Sequence, residues 1–201
     1  MTKIEEKSLS EKIIEAVIIG DTKQLSTLIS KSKNITSRIE YTKALWHASE
    51  NGHVECVKLL IPISSPKDNS DYALYLSSKN GHAECVKILI PVSRPMANNS
   101  IALQSAANNG HTECVKLLTS SSDKKVCQVS SLYLSAYNNH QECVKLLLPY
   151  SNISKWGEET WKGVSFEMQN TIRSYFSKIS LEQNVLPGNN QNSKTKKSRK
   201  I

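Results

Sequence analysis

Four times along the chain a histidine, a glutamate and a cysteine fall within one short stretch. They stand at His53, Glu55 and Cys56, at His82, Glu84 and Cys85, at His111, Glu113 and Cys114, and at His140, Glu142 and Cys143. An imidazole and a thiolate three residues apart on a helix share one side, so metal binding is the first chemistry to weigh. Zinc wants about four ligands in a tetrahedral array. Equivalent residues on neighbouring packed helices stand ~8–10 Å apart, too far to converge on one ion. The same separation excludes a ladder of disulfides, whose Cα atoms must come within ~7 Å. No metal site is therefore predicted, and the four cysteines read as small core hydrophobes. Cys127 stands outside the pattern in a linker. It is the remaining candidate for a reactive thiol, with an incidental cysteine as the stronger reading.

Other catalytic patterns are missing from the sequence. A His-x-Glu element also serves zinc deaminases, but their second motif, Pro-Cys-x-x-Cys, does not occur here. Nor does a Walker A loop, a dinucleotide-binding glycine turn or a Gly-x-Ser-x-Gly elbow, and the chain has only seven glycines to build one. The expectation is a protein without catalytic residues or a cofactor.

The elements that carry these residues are copies of one unit. The phrase Gly52-His53-Val54-Glu55-Cys56-Val57-Lys58-Leu59-Leu60 recurs at residues 81–89, 110–118 and 139–147, each histidine 29 residues after the last. A period of this size means a supersecondary unit stacked on copies of itself, an elongated solenoid in which each repeat touches its neighbours. Within residues 71–90 the sequence predicts a first helix over 72–80 with Asp71 as its N-cap, and a second over 83–90. Gly81 supplies the left-handed residue between them, and Asn139 takes that place in the last copy. Pro91 stops the second helix, and Ser100 is the next expected cap. Neither helix is long enough to be stable alone, so stacking must supply the stability.

This unit resembles the ankyrin repeat. The family pattern aligns on residues 101–118, sharing Gly110-His111, Glu113 and Val115-Lys116-Leu117-Leu118; of its Thr-Pro-Leu-His opening only Leu45, Leu74, Leu103 and Leu132 survive. The resemblance implies an all-α, helix-turn-helix solenoid of four central repeats with a capping unit at each end. The divisions are residues 1–41 for a degraded N-terminal repeat and linker, 42–149 for the repeats, 150–181 for the C-terminal cap and 182–201 for a disordered basic tail. Gly20 marks the inter-helix turn of the first unit. Phe166, Gln169, Ile172, Arg173, Phe176 and Ile179 mark the packed face of the last, with Trp156 and Trp161 just before it. The unit is about four residues shorter than the family norm, and the loss falls where a hairpin finger would project, so blunt or rearranged fingers are expected.

In ankyrin proteins the first helices line a concave groove, and the copies differ most there. One stripe reads Trp46, Tyr75, Gln104 and Tyr133. A second, just before the turn, reads Glu50 and Asn51, Lys79 and Asn80, Asn108 and Asn109, then Tyr137 and Asn138. Aromatic residues facing a groove are typical binding anchors; the competing reading is that Trp46, Tyr75 and Tyr133 pack between repeats. The resemblance implies a protein-interaction module with an unidentified protein partner. Ankyrin proteins of this look occur in intracellular bacteria, protists and large viruses, which adds a host-interaction effector as a secondary expectation.

Charge supplies the alternative. The formal net charge is +8, half of it in the last twenty residues, where Lys194, Lys196, Lys197, Arg199 and Lys200 face Glu182 alone. That tail reads as a solvated end, a nuclear-import-like cluster, or a contact for nucleic acid or an anionic membrane. A nucleic-acid binder would add Lys58, Lys87, Lys116 and Lys145, one per repeat, but Glu55, Glu84, Glu113 and Glu142 precede them by three residues and offset them. A third alternative is self-assembly through Phe166, Ile172 and Phe176. No apolar run is long enough to span a bilayer, and glutamates break the N-terminal stretch that a secretory signal would need. Five cysteines without an export signal suggest reduced thiols. A cytoplasmic monomer is expected, with the nucleus or a host cell as alternative locations.

Overall fold

The computed structural model describes residues 8–32, 37–94, 97–121, 128–154 and 156–185. Cys127 and the basic tail of Lys194, Lys196, Lys197, Arg199 and Lys200 lie outside them. The described residues form helices in pairs: α1 (Leu9–Ile18) with α2 (Thr22–Ser32), α3 (Arg38–Glu50) with α4 (Val54–Leu60), α5 (Asp68–Lys79) with α6 (Ala83–Leu89), α7 (Ala97–Asn108) with α8 (Thr112–Ser121), and α9 (Gln128–Tyr137) with α10 (Gln141–Leu147). A short helix α11 (Glu158–Lys162) and a long one, α12 (Phe166–Val185), close the chain. The first helices α1, α3, α5, α7 and α9 pack on one another as one layer; α2, α4, α6, α8 and α10 form the second. No helix of the described residues is long and apolar enough to cross a membrane.

The core runs the length of the stack between the layers. Leu45, Leu74, Leu103 and Leu132 enter it from the first helices; Val57 and Leu60 and their counterparts in each copy enter from the second. Each fully buried leucine contributes on the order of 2 kcal/mol of transfer free energy, and truncating one to alanine costs about 2–5 kcal/mol because the stack cannot collapse around the gap.

Proline decides where the second helices stop. Pro62, Pro91 and Pro149 each lie in a 3-10 turn, Ile61–Ile63, Ile90–Val92 and Leu148–Tyr150, that follows an α-helix of seven residues. Proline has no N–H to continue the i to i−4 ladder, so the helix cannot pass it. Ser120 holds the equivalent place in the third copy, and there α8 continues to Ser121. Between the 3-10 turn ending at Ile63 and α5, which begins at Asp68, the chain makes no hairpin finger, and no strand occurs among the described residues.

Several boundaries differ from the sequence reading. α3 begins at Arg38, inside the stretch assigned to the N-terminal unit, because Ser37 and Glu40 form a reciprocal capping box. Ser8 and Glu11 do the same for α1. α7 starts at Ala97, ahead of the expected cap Ser100, and α12 continues to Val185, beyond the expected start of the tail. Asp71 is not a helix cap. It lies inside α5 at φ +66, buried, and its Oδ1 accepts the backbone N–H of Arg94 at 3.0 Å. Its Oδ2 stands 3.5 Å from Arg94 Nε, an ion pair without hydrogen-bond geometry. Thr42 one repeat earlier likewise accepts the N–H of Ser65 at 2.9 Å. The position ties down the linker that follows its own repeat. In the last unit Val164, Met168 and Ile172 are buried, whereas Phe166, expected on the packed face, is 78% exposed.

Candidate functional site

Repeats are locked in register by the histidines. Each donates from Nε2 to a carbonyl near the end of the preceding first helix: His53 to Ile18 O at 3.0 Å, and His82 to Glu50 O, His111 to Lys79 O and His140 to Asn108 O at 2.9 Å. Those carbonyls belong to the last turn, where a helix has no partners of its own for them. The same bond fixes the tautomer, since Nε2 must carry the hydrogen. The backbone N–H of His53 in turn reaches Ala48 O at 2.9 Å around Gly52, whose φ is +73, which closes a Schellman turn. These imidazoles are engaged in structure, and the described residues contain no group of three His, Cys, Asp or Glu side chains able to hold a metal ion.

The four repeat cysteines, Cys56, Cys85, Cys114 and Cys143, are buried on the second helices. Burial pushes all four thiols up, those of Cys85 and Cys114 to about 11, with the adjacent Glu84 and Glu113 adding to the effect. Cys56 and Cys143 are raised by burial too, partly opposed by the hydroxyls of Thr22 and Thr112. Thiols held protonated are poor nucleophiles.

The exposed face of the first-helix layer carries two aromatic clusters. In one, Trp46 of α3 meets Tyr72 of α5 edge-on at 5.2 Å between ring centroids, Tyr72 stacks on Tyr75 at 5.5 Å, and Lys79 Nζ lies 5.9 Å from the centre of the Tyr75 ring. In the other, Tyr133 is 5.9 Å from Tyr137 and stands at 89° to Trp156 at 6.0 Å, and Trp156 meets Trp161 at 5.0 Å. The turn after α11 is drawn against this cluster: a methyl group on Gly163 would lie 2.9 Å from the Tyr137 ring. Gln169 clasps that turn, donating to Trp161 O at 2.8 Å and Val164 O at 2.9 Å.

Two open depressions lie between the clusters. One, of about 290 Å³, is bounded by Tyr75, Lys79, Asn108 and Asn109; the other, of about 620 Å³, by Tyr133, Trp156, Glu159 and Thr160. Gln104 and Leu134 line both, so the two lie side by side as one grooved surface across α5, α7 and α9. Of the residues expected there, Tyr75, Lys79, Gln104, Asn108, Asn109 and Tyr133 line it. Trp46 packs beneath Tyr72, and Glu50 faces His47 at 3.8 Å. Tyr137 packs on Tyr133 yet keeps 55% of its surface exposed. The asparagine column has a structural part as well: Asn51, Asn109 and Asn138 bond the carbonyl four residues back, and Asn80 reaches Glu50 O at 3.1 Å. On the opposite layer every lysine of the second-helix ladder meets its glutamate, at 2.6 Å for Lys58 and Lys145 and 3.8 and 3.7 Å for Lys87 and Lys116.

A family model for ankyrin repeats in three copies matches residues 13–99 and again residues 91–158. The chain belongs to the ankyrin repeat family. Ankyrin repeats are generally protein-interaction modules on a typically non-catalytic scaffold. Among solved structures, the crystal structure of the human ASB11 ankyrin repeat domain resembles this ankyrin chain, with 24% identity over 68% of this chain and 67% of that one and a TM-score of 0.59. At that identity the likeness speaks for the fold. Comparison with curated proteins gives no match.

The sequence reading of the groove omitted Tyr72, Trp156, Trp161 and Glu159. Tyr72 has a local signal, standing three residues before Tyr75 on the same helix face. The tryptophans have none, because only the return of α11 onto α9 brings them there.

Proposed function

We propose that this ankyrin protein is a non-catalytic binding module whose protein partner docks in the groove across α5, α7 and α9. The observation that carries the reading is the adjacency of the two depressions, which share Gln104 and Leu134 and have aromatic rings at their far ends. Aromatic side chains offer large contact area for modest loss of conformational freedom. The amide side chains between them can both donate to and accept from a partner's backbone. The nucleic-acid alternative is weakened by the second-helix lysines, each neutralised by its own glutamate. We read the protein as a cytoplasmic monomer acting as an adaptor, with a role on host proteins as its more specific form. Affinity capture from native lysate tests the groove. The intact chain and a chain lacking residues 186–201 should retain the same protein, and a Tyr75→Ala, Asn108→Trp variant should lose it. Retention by that variant, or loss on removing the tail alone, would place binding elsewhere.

A further inference from the structure

The groove is electrically uneven. α7 and α9 carry no charged residue at all. Lys79 is the one charged residue bounding the smaller depression, and no carboxylate among the described residues pairs with it. Its ammonium is held over the Tyr75 ring at 5.9 Å, at the edge of the cavity. The larger depression also has one charged residue, Glu159, but Lys162 lies 2.5 Å from it and answers its charge. The rest of its lining is uncharged: Gln104, Ser130 and Thr160 are polar, and its apolar part is a corner in which the rings of Tyr133 and Trp156 stand at right angles with Leu134 and Val129 beside them. One end of the groove therefore offers an unanswered positive charge and the other an aromatic corner. The floor between them is uncharged and rich in amides.

Resting on the groove reading above, we propose that the occupant is an extended peptide segment bearing one carboxylate and one large apolar side chain. The carboxylate sits at Lys79 and the apolar side chain in the corner of Tyr133 and Trp156. Spacing follows from the stack. α5 and α9 are two helix-packing distances apart, ~16–20 Å, and an extended chain advances ~3.3 Å per residue, so the two anchors are about five or six residues apart. The stretch between them is uncharged, to match α7. Glu50 holds the place of Lys79 one repeat earlier, on α3, so that side offers a carboxylate where α5 offers an ammonium.

The test uses the full chain and a phage-displayed library of random twelve-residue peptides. Three proteins are selected in parallel: the native chain, Lys79→Glu, and Asn108→Trp, which fills the groove from an exposed position. Peptides enriched on the native chain should bind Asn108→Trp at least tenfold more weakly. They should carry Asp or Glu five or six positions from Leu, Phe, Tyr or Trp, and lose at least tenfold on Lys79→Glu. Selection on Lys79→Glu should enrich Lys or Arg at the position of the lost acid. Groove-dependent peptides without a carboxylate, or indifferent to Lys79→Glu, would overturn this peptide chemistry and leave the groove standing. Peptides indifferent to Asn108→Trp, or no enrichment at all, would overturn both.

Discussion

A methyl group on Gly52 would lie 2.5 Å from Nδ1 of His82, one repeat away. The imidazole of each repeat occupies the space a side chain would need at the turn before it, and the pattern recurs from Gly20 under His53 to Gly110 under His140. Both departures from the repeated phrase fall where this ladder ends. The first unit has Asp21 in the histidine place, and its Oδ1 accepts the N–H of Gln24 at 2.9 Å as a helix cap. The last copy has Asn139 in the glycine place, at φ +62. No repeat histidine follows to cover it, and its Oδ1 accepts from Ser165 at 3.3 Å.

Coupling within the ladder is measurable by a double-mutant cycle in urea. Gly52→Ala should cost about 2–4 kcal/mol, from the left-handed backbone and from overlap with the ring. His82→Ala should cost about 1–2 kcal/mol for the lost bond to Glu50 O. The double variant should fall short of the sum by about 1 kcal/mol or more, because removing the ring removes the overlap. Asn139→Gly, with no ring above it, should change stability by no more than about 0.5 kcal/mol. Strict additivity at Gly52 and His82 would contradict the contact.

The buried thiols set an alkaline limit. Their folded pKa values are raised, so the folded chain keeps its protons after the unfolded chain has begun to lose them. The stability this confers is complete below the unfolded value near 9 and is lost as pH rises toward about 11, the value for Cys85 and Cys114. Urea midpoints should therefore fall between pH 8.5 and 10.5, and fall less in a Cys85→Val, Cys114→Val variant. Equal slopes for the two proteins would place the loss in other groups.

Helix capping gives a local test. Ser37→Ala should destabilise the chain by about 1 kcal/mol, since Ser37 Oγ accepts the N–H of Glu40 and Ser37 N–H donates to the Glu40 carboxylate. Removing the surface charge with Lys58→Gln should change stability by less than about 0.5 kcal/mol, both partners of that pair being more than half exposed. A larger effect at Lys58 than at Ser37 would reverse this ranking of cap over surface pair.

What could be read in advance was whatever one repeat decides for itself. The left-handed glycine, the buried Val and Leu of the second helix and the Glu–Lys pairs are set within a few residues and then copied. Two capping boxes, Ser8 with Glu11 and Ser37 with Glu40, were equally local but lie before the repeated phrase begins. Asp71 looked like a helix cap because its residue type suits one; only the fold shows its carboxylate turned to the linker 23 residues later. The groove was half legible. Tyr75, Lys79, Gln104 and Tyr133 stand at equivalent or adjacent places in the unit, whereas Trp156 and Glu159 arrive from a segment that obeys no repeat. On α12 the expected Ile172 is buried, whereas Phe166, the first residue of the helix, is exposed and Met168, outside the expected set, is buried: helical spacing alone does not fix where along a helix the covered face begins.

The two ends of the groove should respond differently to truncation. Tyr133→Ala removes a ring that supports Trp156 and the turn at Gly163, and should lower stability by about 2–3 kcal/mol. Tyr75→Ala should cost about 1 kcal/mol, because its loss leaves Tyr72 on Trp46. Chemical denaturation of the two variants checks the order, and a larger loss at Tyr75 would mean that the C-terminal cap does not depend on Tyr133.

The central claim is that the partner occupies the first-helix groove, and hydrogen–deuterium exchange with and without a saturating ligand, either a captured protein or a selected peptide, tests it most directly. Slowed exchange concentrated in α5, α7, α9 and α11, with α4, α6, α8 and α10 unchanged, is the predicted result. Protection confined to the second helices, or to residues 186–201, would contradict it.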